Sequence, residues 1–181
     1  MKKQLKINCG TGEDAYEIYL TAEDDSVFKA AAASPLTQDL LEGEELVAAI
    51  LKAVPGGVSK VQRIKNGKLN DGKDGQPAEQ WYDDKGTLIR IVHYLNGLRN
   101  DGADGDAAVQ WRDKGVIGVV HCIDGKRHDG PKGEPAVQRY NLKGKLVYAV
   151  SCANEDGHPV KKLTPREMAG CKQPPTSMMK L

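Results

Sequence analysis

The chain has 181 residues, 28% of them charged, and a formal net charge of +1. This length predicts one or two domains with an apolar core, and the near-zero charge gives no general attraction to nucleic acids. The N-terminus lacks an apolar segment long enough for a signal peptide, and we expect no membrane span. The four cysteines form no C-x-x-C pair, which is typical of a reduced, cytoplasmic protein.

Residues 1–57 form the first unit and carry a formal charge of −5, from 5 basic and 10 acidic residues. The stretches QLKINC and AYEIYL alternate in polarity, which predicts two short strands. We expect one helix after Ser26 and a second that starts at Ser34-Pro35 and bends or breaks at Gly43. The second helix should carry an apolar stripe for the core, formed by Leu36, Leu40, Val47, Leu51 and Val54.

Residues 58–157 form a second unit that is built from an internal repeat. Full copies occupy residues 70–99, 100–127 and 128–157, at offsets of 30 and 28 residues, and a half-copy occupies 61–72. Each copy reads x-D-G-x-x-G, then x-A-x-Q-W/R, then K-G, an apolar run and N/D-G. The x-D-G-x-x-G segment is called the joint below.

Each copy translates into one β-hairpin. Asn-Gly and Asp-Gly pairs adopt positive φ at low cost and therefore mark tight turns. Between these turns lie a short strand such as AVQW, a Lys-Gly turn and a long apolar strand such as TLIRIVHYL. Because a single hairpin is only marginally stable, successive copies should pair into one antiparallel meander of about six or seven strands.

These copies resemble MORN-type repeats, in the variant of bacterial proteins that has x-D-G-P-A joints. The resemblance covers residues 58–157 and implies an elongated sheet that scaffolds protein contacts, and bacterial proteins of this kind are often antitoxin-like. The copies lack the aromatic-rich YxxG core of eukaryotic MORN repeats. The matching residues are Asp71-Gly72, Asp101-Gly102, Asp129-Gly130-Pro131, Pro77-Ala78 and Pro135-Ala136.

The sequence and this resemblance together predict an α+β fold. Its N-terminal strands and helices, residues 1–57, would pack on an antiparallel β-meander of MORN-like hairpin repeats, residues 58–157, followed by a basic tail, residues 158–181. The long strands are apolar on both faces at their centres, whereas a free-standing sheet would have one polar face. We therefore expect the N-terminal helices, or a second protomer, to cover part of the second face.

Metal-binding and catalytic patterns fail on inspection. The stretch NDGKDGQPAEQW at residues 70–81 resembles a calcium loop, but Gly72 and Trp81 stand where an EF-hand needs ligands. His93 and His121 are equivalent, yet no carboxylate or cysteine is expected on their face in register, so we predict no zinc site. No Ser-His-Asp order, P-loop or G-x-S-x-G motif is present. We therefore predict no catalytic residues, no metal and no cofactor, and that the protein is not an enzyme.

The short strands carry the residues with the best chemistry for binding a partner. Trp, Tyr and Arg dominate interface hot spots, and both tryptophans of the chain occupy equivalent repeat positions. Since neighbouring positions of a strand face opposite sides, one row should be buried and the other accessible. The first predicted partner-binding row is Trp81, Trp111 and Arg139, and the second is Tyr82, Arg112 and Tyr140.

The functional prediction is a non-catalytic protein-binding module that occludes its partner stoichiometrically, as an antitoxin, an immunity protein or a phage-encoded inhibitor does. One alternative is an enzyme or sensor with its site in residues 1–57. Another is an adaptor that contacts nucleic acid or a membrane through the basic tail, although nucleic acid is not the expected partner. A homo-oligomer is also open. The tail residues in question are Lys161, Lys162, Arg166 and Lys172.

Overall fold

The computed structural model describes residues 2–35, 42–152, 161–169 and 171. The first unit contains strand β1 (Lys3–Cys9), a 3-10 turn (Gly12–Asp14), strand β2 (Tyr16–Ala22), helix α1 (Ser26–Ala32) and helix α2 (Gly43–Ala53). Both predicted strands are therefore confirmed. The first helix is also present, but Ser26 is its first residue and not its cap, because Asp25 occupies the N-cap position. Gly43 is the first residue of α2, so it starts this helix instead of bending it. The proposed helix start at Ser34-Pro35 and the stripe residues Leu36 and Leu40 lie at or beyond the edge of the described residues.

The repeat unit follows as a series of short antiparallel strands. Helix α3 (Pro165–Ala169) and strand β15 (Lys161–Lys162) come from the described part of the tail, and Lys172 lies outside the described residues. The strands of the repeats are β3 (Val58–Lys65), β4 (Lys68–Leu69), β5 (Glu79–Tyr82), β6 (Leu88–Val92), β7 (Tyr94–Leu95), β8 (Leu98–Arg99), β9 (Val109–Asp113), β10 (Val116–Val120), β11 (Cys122–Ile123), β12 (Lys126–Arg127), β13 (Val137–Asn141) and β14 (Leu146–Ser151).

Eleven strands of the described chain form one antiparallel sheet. Ten of them follow the order β1-β2-β3-β5-β6-β9-β10-β13-β14-β15, and β4 pairs beside β3. The predicted α+β class and antiparallel meander are thus confirmed. The N-terminal strands differ from the expectation, because β2 pairs with β3 from Glu17 opposite Ile64 to Ala22 opposite Val58. Strands β1 and β2 therefore extend the sheet, and β2 pairs with the edge of β3 that would otherwise be exposed. Of the N-terminal elements, only the helices pack on a face of the sheet.

The long apolar strands of the first two full copies end at a histidine, His93 or His121. The backbone N–H of Tyr94 donates to Asp71 Oδ1 at 2.9 Å instead of continuing the sheet, and Cys122 donates to Asp101 Oδ1 at the same distance. The chain beyond this point leaves the sheet and forms two-stranded ribbons, β7–β8 and β11–β12. The joint carboxylates therefore decide where the sheet ends.

The joint aspartates hold the repeats together. Asp101 accepts hydrogen bonds from the backbone N–H groups of Ala108 and Cys122, both at 2.9 Å, and its Oδ2 lies 2.7 Å from Nδ1 of His121. Asp71 makes the same three contacts, with His93 at 2.6 Å. The expectation that no carboxylate shares the histidine face was wrong, because the joint folds back over that face. In the loop that resembled a calcium site, the Asp71 carboxylate is thus taken up by contacts within the chain.

Turn chemistry follows the sequence closely. Asn66, Asn96 and Asp124 have φ values of 52°, 53° and 49°, and a glycine of positive φ follows each of them. The second copy is shorter than the first because Lys114-Gly115 alone connects its two strands, whereas residues 83–87 connect those of the first copy. These three pairs are therefore hairpin turns, as predicted, whereas the Asp-Gly pairs that open the joints have no positive φ.

The helices bury one end of the sheet. Val47 and Ile50 of α2 pack with Ile18, Leu20 and Val61 in a common apolar cluster. Beyond β3, the one repeat residue of this cluster is the partly buried Tyr82. Among the described residues, the helices therefore cover one face of the sheet only near its N-terminal strands. This side is called the helix face and the opposite side the open face. No helix in the described part of the chain is long and apolar enough to cross a membrane.

Candidate protein-binding face

A row of cationic and aromatic side chains crosses the open face. Cross-strand pairing aligns Lys60 with Trp81, Trp81 with Arg90, and Arg90 with Trp111. It then aligns Trp111 with Gly118, Gly118 with Arg139, and Arg139 with Tyr148. Because directly paired residues point to the same side of a sheet, cationic and aromatic side chains alternate along this line. We call these seven positions the cation–aromatic row.

The two ends of the cation–aromatic row are internally paired. The Lys60 ammonium lies 4.3 Å from the centre of the Trp81 ring and 2.8 Å from Glu79 Oε1. At the other end, the Arg139 guanidinium and the Lys162 ammonium each lie 5.3 Å from the centre of the Tyr148 ring. Such cation–π contacts fix the orientation of long side chains that would otherwise be mobile, so the row is partly preorganised.

Trp111 occupies the middle of the row because its neighbour is a glycine. A Cβ atom at Gly118 would stand 2.0 Å from Cζ2 of the Trp111 ring. The indole therefore lies flat across the backbone of β10, with one side against the sheet. The side chain is half-buried, so part of its surface stays available for contact.

An aliphatic row runs beside the cation–aromatic row on the same face. Pairing aligns Val92 with Val109, Val109 with Val120, Val120 with Val137, and Val137 with Val150. The ribbons and Trp111 pack on these valines, together with Tyr94 and Cys122. The open face thus has its own small apolar clusters. The ribbons and the Trp111 ring cover its apolar residues, so no second layer of helices is needed there.

A groove of about 730 Å³ opens between the cation–aromatic row and the ribbons. Trp111, Val109, Val120 and Cys122 form its apolar floor. Arg90 reaches it from β6, Arg99 from β8 and Arg127 from β12. Sequence reasoning missed these arginines as a group, because they come from three different strands and meet only through the pairing.

The six predicted partner-binding residues divide between the two faces. Trp81, Trp111 and Arg139 lie in register on the open face, as the sequence predicted for equivalent positions. The pairing directs the second row to the helix face, where Tyr82 packs against the helix cluster. The half-buried Arg112 also lines the groove beside Trp111. Tyr140 is only 1% exposed, and burial raises its pKa to about 12. Its side chain therefore serves the core and cannot reach a partner in this structure.

One ion pair fastens the helices to the repeats. Arg63 is 2% exposed and donates from Nε and Nη2 to the two carboxylate oxygens of Glu44 in α2, both at 2.6 Å. Arg63 occupies the repeat position of His93 and His121, and Glu44 takes the place that a joint aspartate has in the later copies. A bidentate pair of this kind fixes position as well as charge.

The described residues contain no group of three or more His, Cys, Asp or Glu side chains that could hold a metal ion. Each buried histidine is instead taken up by one joint aspartate. Comparison with known proteins found no matching family model, no similar curated protein and no matching solved structure. The resemblance to MORN-type repeats therefore rests on the joint and turn residues alone.

Proposed function

We propose that this chain is a non-catalytic protein-binding module that acts by stoichiometric occlusion of one protein partner, as an antitoxin, an immunity protein or a phage-encoded inhibitor does. In this proposal the repeats, which resemble those of MORN-type proteins, are the platform, and the open face is the contact surface. The observation that carries the proposal is the cation–aromatic row, in which Trp81, Trp111 and Arg139 stand in register on an accessible face.

The physical case rests on rigidity and residue type. Trp and Arg are the residues that most often dominate interface energetics, because they combine a large contact area with directional hydrogen bonds. A sheet positions them with little loss of side-chain entropy on binding, since the row is already ordered by cation–π contacts. A partner that lies on this face would be blocked by contact alone, without any chemical step.

The proposal assigns contact with the partner to three of the six candidate residues. The accessible row of Trp81, Trp111 and Arg139 would make the contacts with the partner, and Arg139 is exposed at one end. The row of Tyr82, Arg112 and Tyr140 would support the fold from the helix face. Truncation of the two rows should therefore have separable effects on binding and on stability.

The test is alanine substitution with binding and stability measured on the same samples. The partner is first captured from an extract of a cell that encodes the chain, identified, purified and titrated calorimetrically. We expect one-to-one binding, and Trp111→Ala or Arg139→Ala should each weaken it by about 2 kcal/mol, as the loss of a central anchor does. The control is Lys143→Ala, an exposed turn position outside the row.

Tyr140→Ala should give the opposite pattern, with lower stability and an unchanged affinity for the partner in the fraction that stays folded. If Trp111→Ala and Arg139→Ala bind normally, while changes within residues 1–57 abolish binding, the proposal fails and the repeats are only a scaffold.

A further inference from the structure

The groove beside Trp111 concentrates positive charge that the protein itself does not use. Arg90, Arg99 and Arg127 reach the groove from three strands, and Asp113 is the one acidic residue among the described residues that line it. Arg90 stands directly opposite Trp111, whereas Arg99 and Arg127 stand opposite Tyr94 and Cys122 in the ribbons. The formal charge of +1 for the whole chain conceals this local excess.

None of the three guanidinium groups has a hydrogen-bond or ion-pair partner among the described residues. The Nε atom of Arg90 is also buried, so water does not fully satisfy it. Arg63 is paired with Glu44 and Lys60 with Glu79, whereas the Nε atom of Arg112, whose side chain also lines the groove, is buried without a partner among the described residues. Leaving the half-buried Arg90 unpaired is costly, whereas Arg99 and Arg127 are exposed and add positive charge at the rim of the same groove. The buried unpaired donor and this charge excess together point to an acceptor from outside the chain.

The floor of the groove decides what kind of acceptor fits. Cys122 is buried in this floor and stands directly opposite Arg127, and Arg99 lines the same groove, so two guanidinium groups border an apolar wall. Arginine binds carboxylates in a planar, bidentate geometry, and Val109, Val120 and the Trp111 ring offer apolar contact beside it.

We infer that this groove binds an acidic segment of the partner protein, with carboxylates held by Arg90, Arg99 and Arg127 and a neighbouring apolar side chain packed on Trp111. The inference rests on the proposed function and adds the chemistry of the partner. It predicts that complex formation weakens as salt is added, because the charge pairs at the rim are screened.

A single-stranded nucleic acid would also supply anions, but the spacing of the aromatic rings is unfavourable. Trp81 and Trp111 lie two strands apart, and Trp111 and Tyr148 lie three strands apart. With a strand spacing of about 4.8 Å, these distances are roughly 10 and 14 Å, whereas stacked bases follow one another at about 3.4 Å. The aliphatic floor likewise suits an amino-acid side chain better than a base.

The experiment follows the emission of Trp111 in a Trp81→Phe variant, which leaves one tryptophan in the chain. The probes are a short peptide with glutamates on both sides of a leucine, the same peptide with glutamine in place of glutamate, and oligo(dT). The glutamate peptide should shift the emission in a salt-dependent manner, whereas the glutamine peptide and oligo(dT) should bind at least about tenfold more weakly.

Two matched triple variants locate the site. Arg90→Gln/Arg99→Gln/Arg127→Gln should weaken binding of the glutamate peptide by about tenfold or more, because the carboxylates lose their charged donors. The control, Lys132→Gln/Lys143→Gln/Lys145→Gln, removes the same charge from exposed residues outside the groove and should leave binding unchanged.

The remaining outcomes separate this inference from the proposed function. Absence of glutamate-peptide binding, equal weakening by both triple variants, or tighter binding of oligo(dT) would each overturn the acidic-segment inference. If the glutamine peptide binds as well as the glutamate peptide, the partner docks by apolar contact, so the inference fails while the protein-binding function stands. Failure of the proposed function is read independently, from normal binding of the native partner by Trp111→Ala and Arg139→Ala.

Discussion

Replacement of Asp101 by alanine should destabilise one joint between repeats and lower the free energy of unfolding. The carboxylate accepts two backbone N–H bonds at 2.9 Å, from Ala108 and Cys122, and contacts the His121 ring at 2.7 Å. Ala108 is 0% exposed and Cys122 is 3% exposed, so water cannot replace the lost acceptor without opening the joint. The substitution therefore leaves two buried donors and one imidazole without their partner.

The magnitude follows from the cost of those orphaned groups. A buried donor that loses its acceptor costs about 1–3 kcal/mol, and three groups would sum to roughly 3–9 kcal/mol. The Asp101 side chain is 15% exposed, which lets some solvent enter, so we take the lower end, about 3–4 kcal/mol. For a chain of this length that corresponds to a fall in melting temperature of roughly 6–16 °C. Asp101→Asn keeps one acceptor oxygen and should cost about half as much.

The assay is urea unfolding followed by circular dichroism and tryptophan emission, with Asp104→Ala as the control. Asp104 belongs to the same joint, is exposed, and makes no side-chain hydrogen bond among the described residues. We expect the order of stability to be wild type and Asp104→Ala, then Asp101→Asn, then Asp101→Ala. If Asp101→Ala is within about 0.5 kcal/mol of wild type, like an ordinary surface substitution, the joint carboxylate does not hold the repeats.

Three further perturbations test other contacts of the fold. Gly118→Ala should push the Trp111 ring off the sheet, red-shift its emission and cost about 1–3 kcal/mol by overpacking; unchanged emission would contradict the flat indole. Glu44→Ala should lower the free energy of unfolding by about 3 kcal/mol because it leaves the buried Arg63 without its partner. Glu45→Ala, at an exposed neighbouring position, should change it little, and equal effects of the two variants would contradict the role of the ion pair. With a pKa of about 11, roughly one Cys122 thiol in a thousand is ionised at pH 8, so iodoacetamide should label it slowly in the wild type and faster in Asp101→Ala. Because this pKa is raised on folding, the thiol favours the folded state below about pH 8.5, and that contribution declines as the pH rises further. Peptide mapping distinguishes Cys122 from the less buried Cys171, and rapid labelling of Cys122 itself in the native protein would contradict its burial.

The six candidate binding residues show how much can be predicted from the alternation of side chains between the two faces of a strand. Equivalent positions in successive copies were expected to align, and Trp81, Trp111 and Arg139 do so across five consecutive strands. Which of the two rows is accessible could not be decided from alternation, because both contain large amphipathic residues. The second row is the less accessible one because Tyr82 packs against the helices at one end and Tyr140 lies in a buried cluster at the other.

The sequence by itself determined the features that depend on neighbouring residues. Asn-Gly and Asp-Gly pairs determine the turns because positive φ is a local preference, and polarity that alternates every second residue determines the strands. The repeat then requires a meander, since identical hairpins have the same unpaired edges.

Only the tertiary structure decided the contacts between residues far apart in the chain. Asp71 meets His93, Glu44 meets Arg63, and three arginines meet around Trp111, although nothing in their sequence spacing indicates these encounters. The physical reason is that a hydrogen bond or a charged groove depends on distance and direction in space. Those quantities are set when strands pair, ribbons leave the sheet and helices choose a face, and no local preference of the chain encodes them.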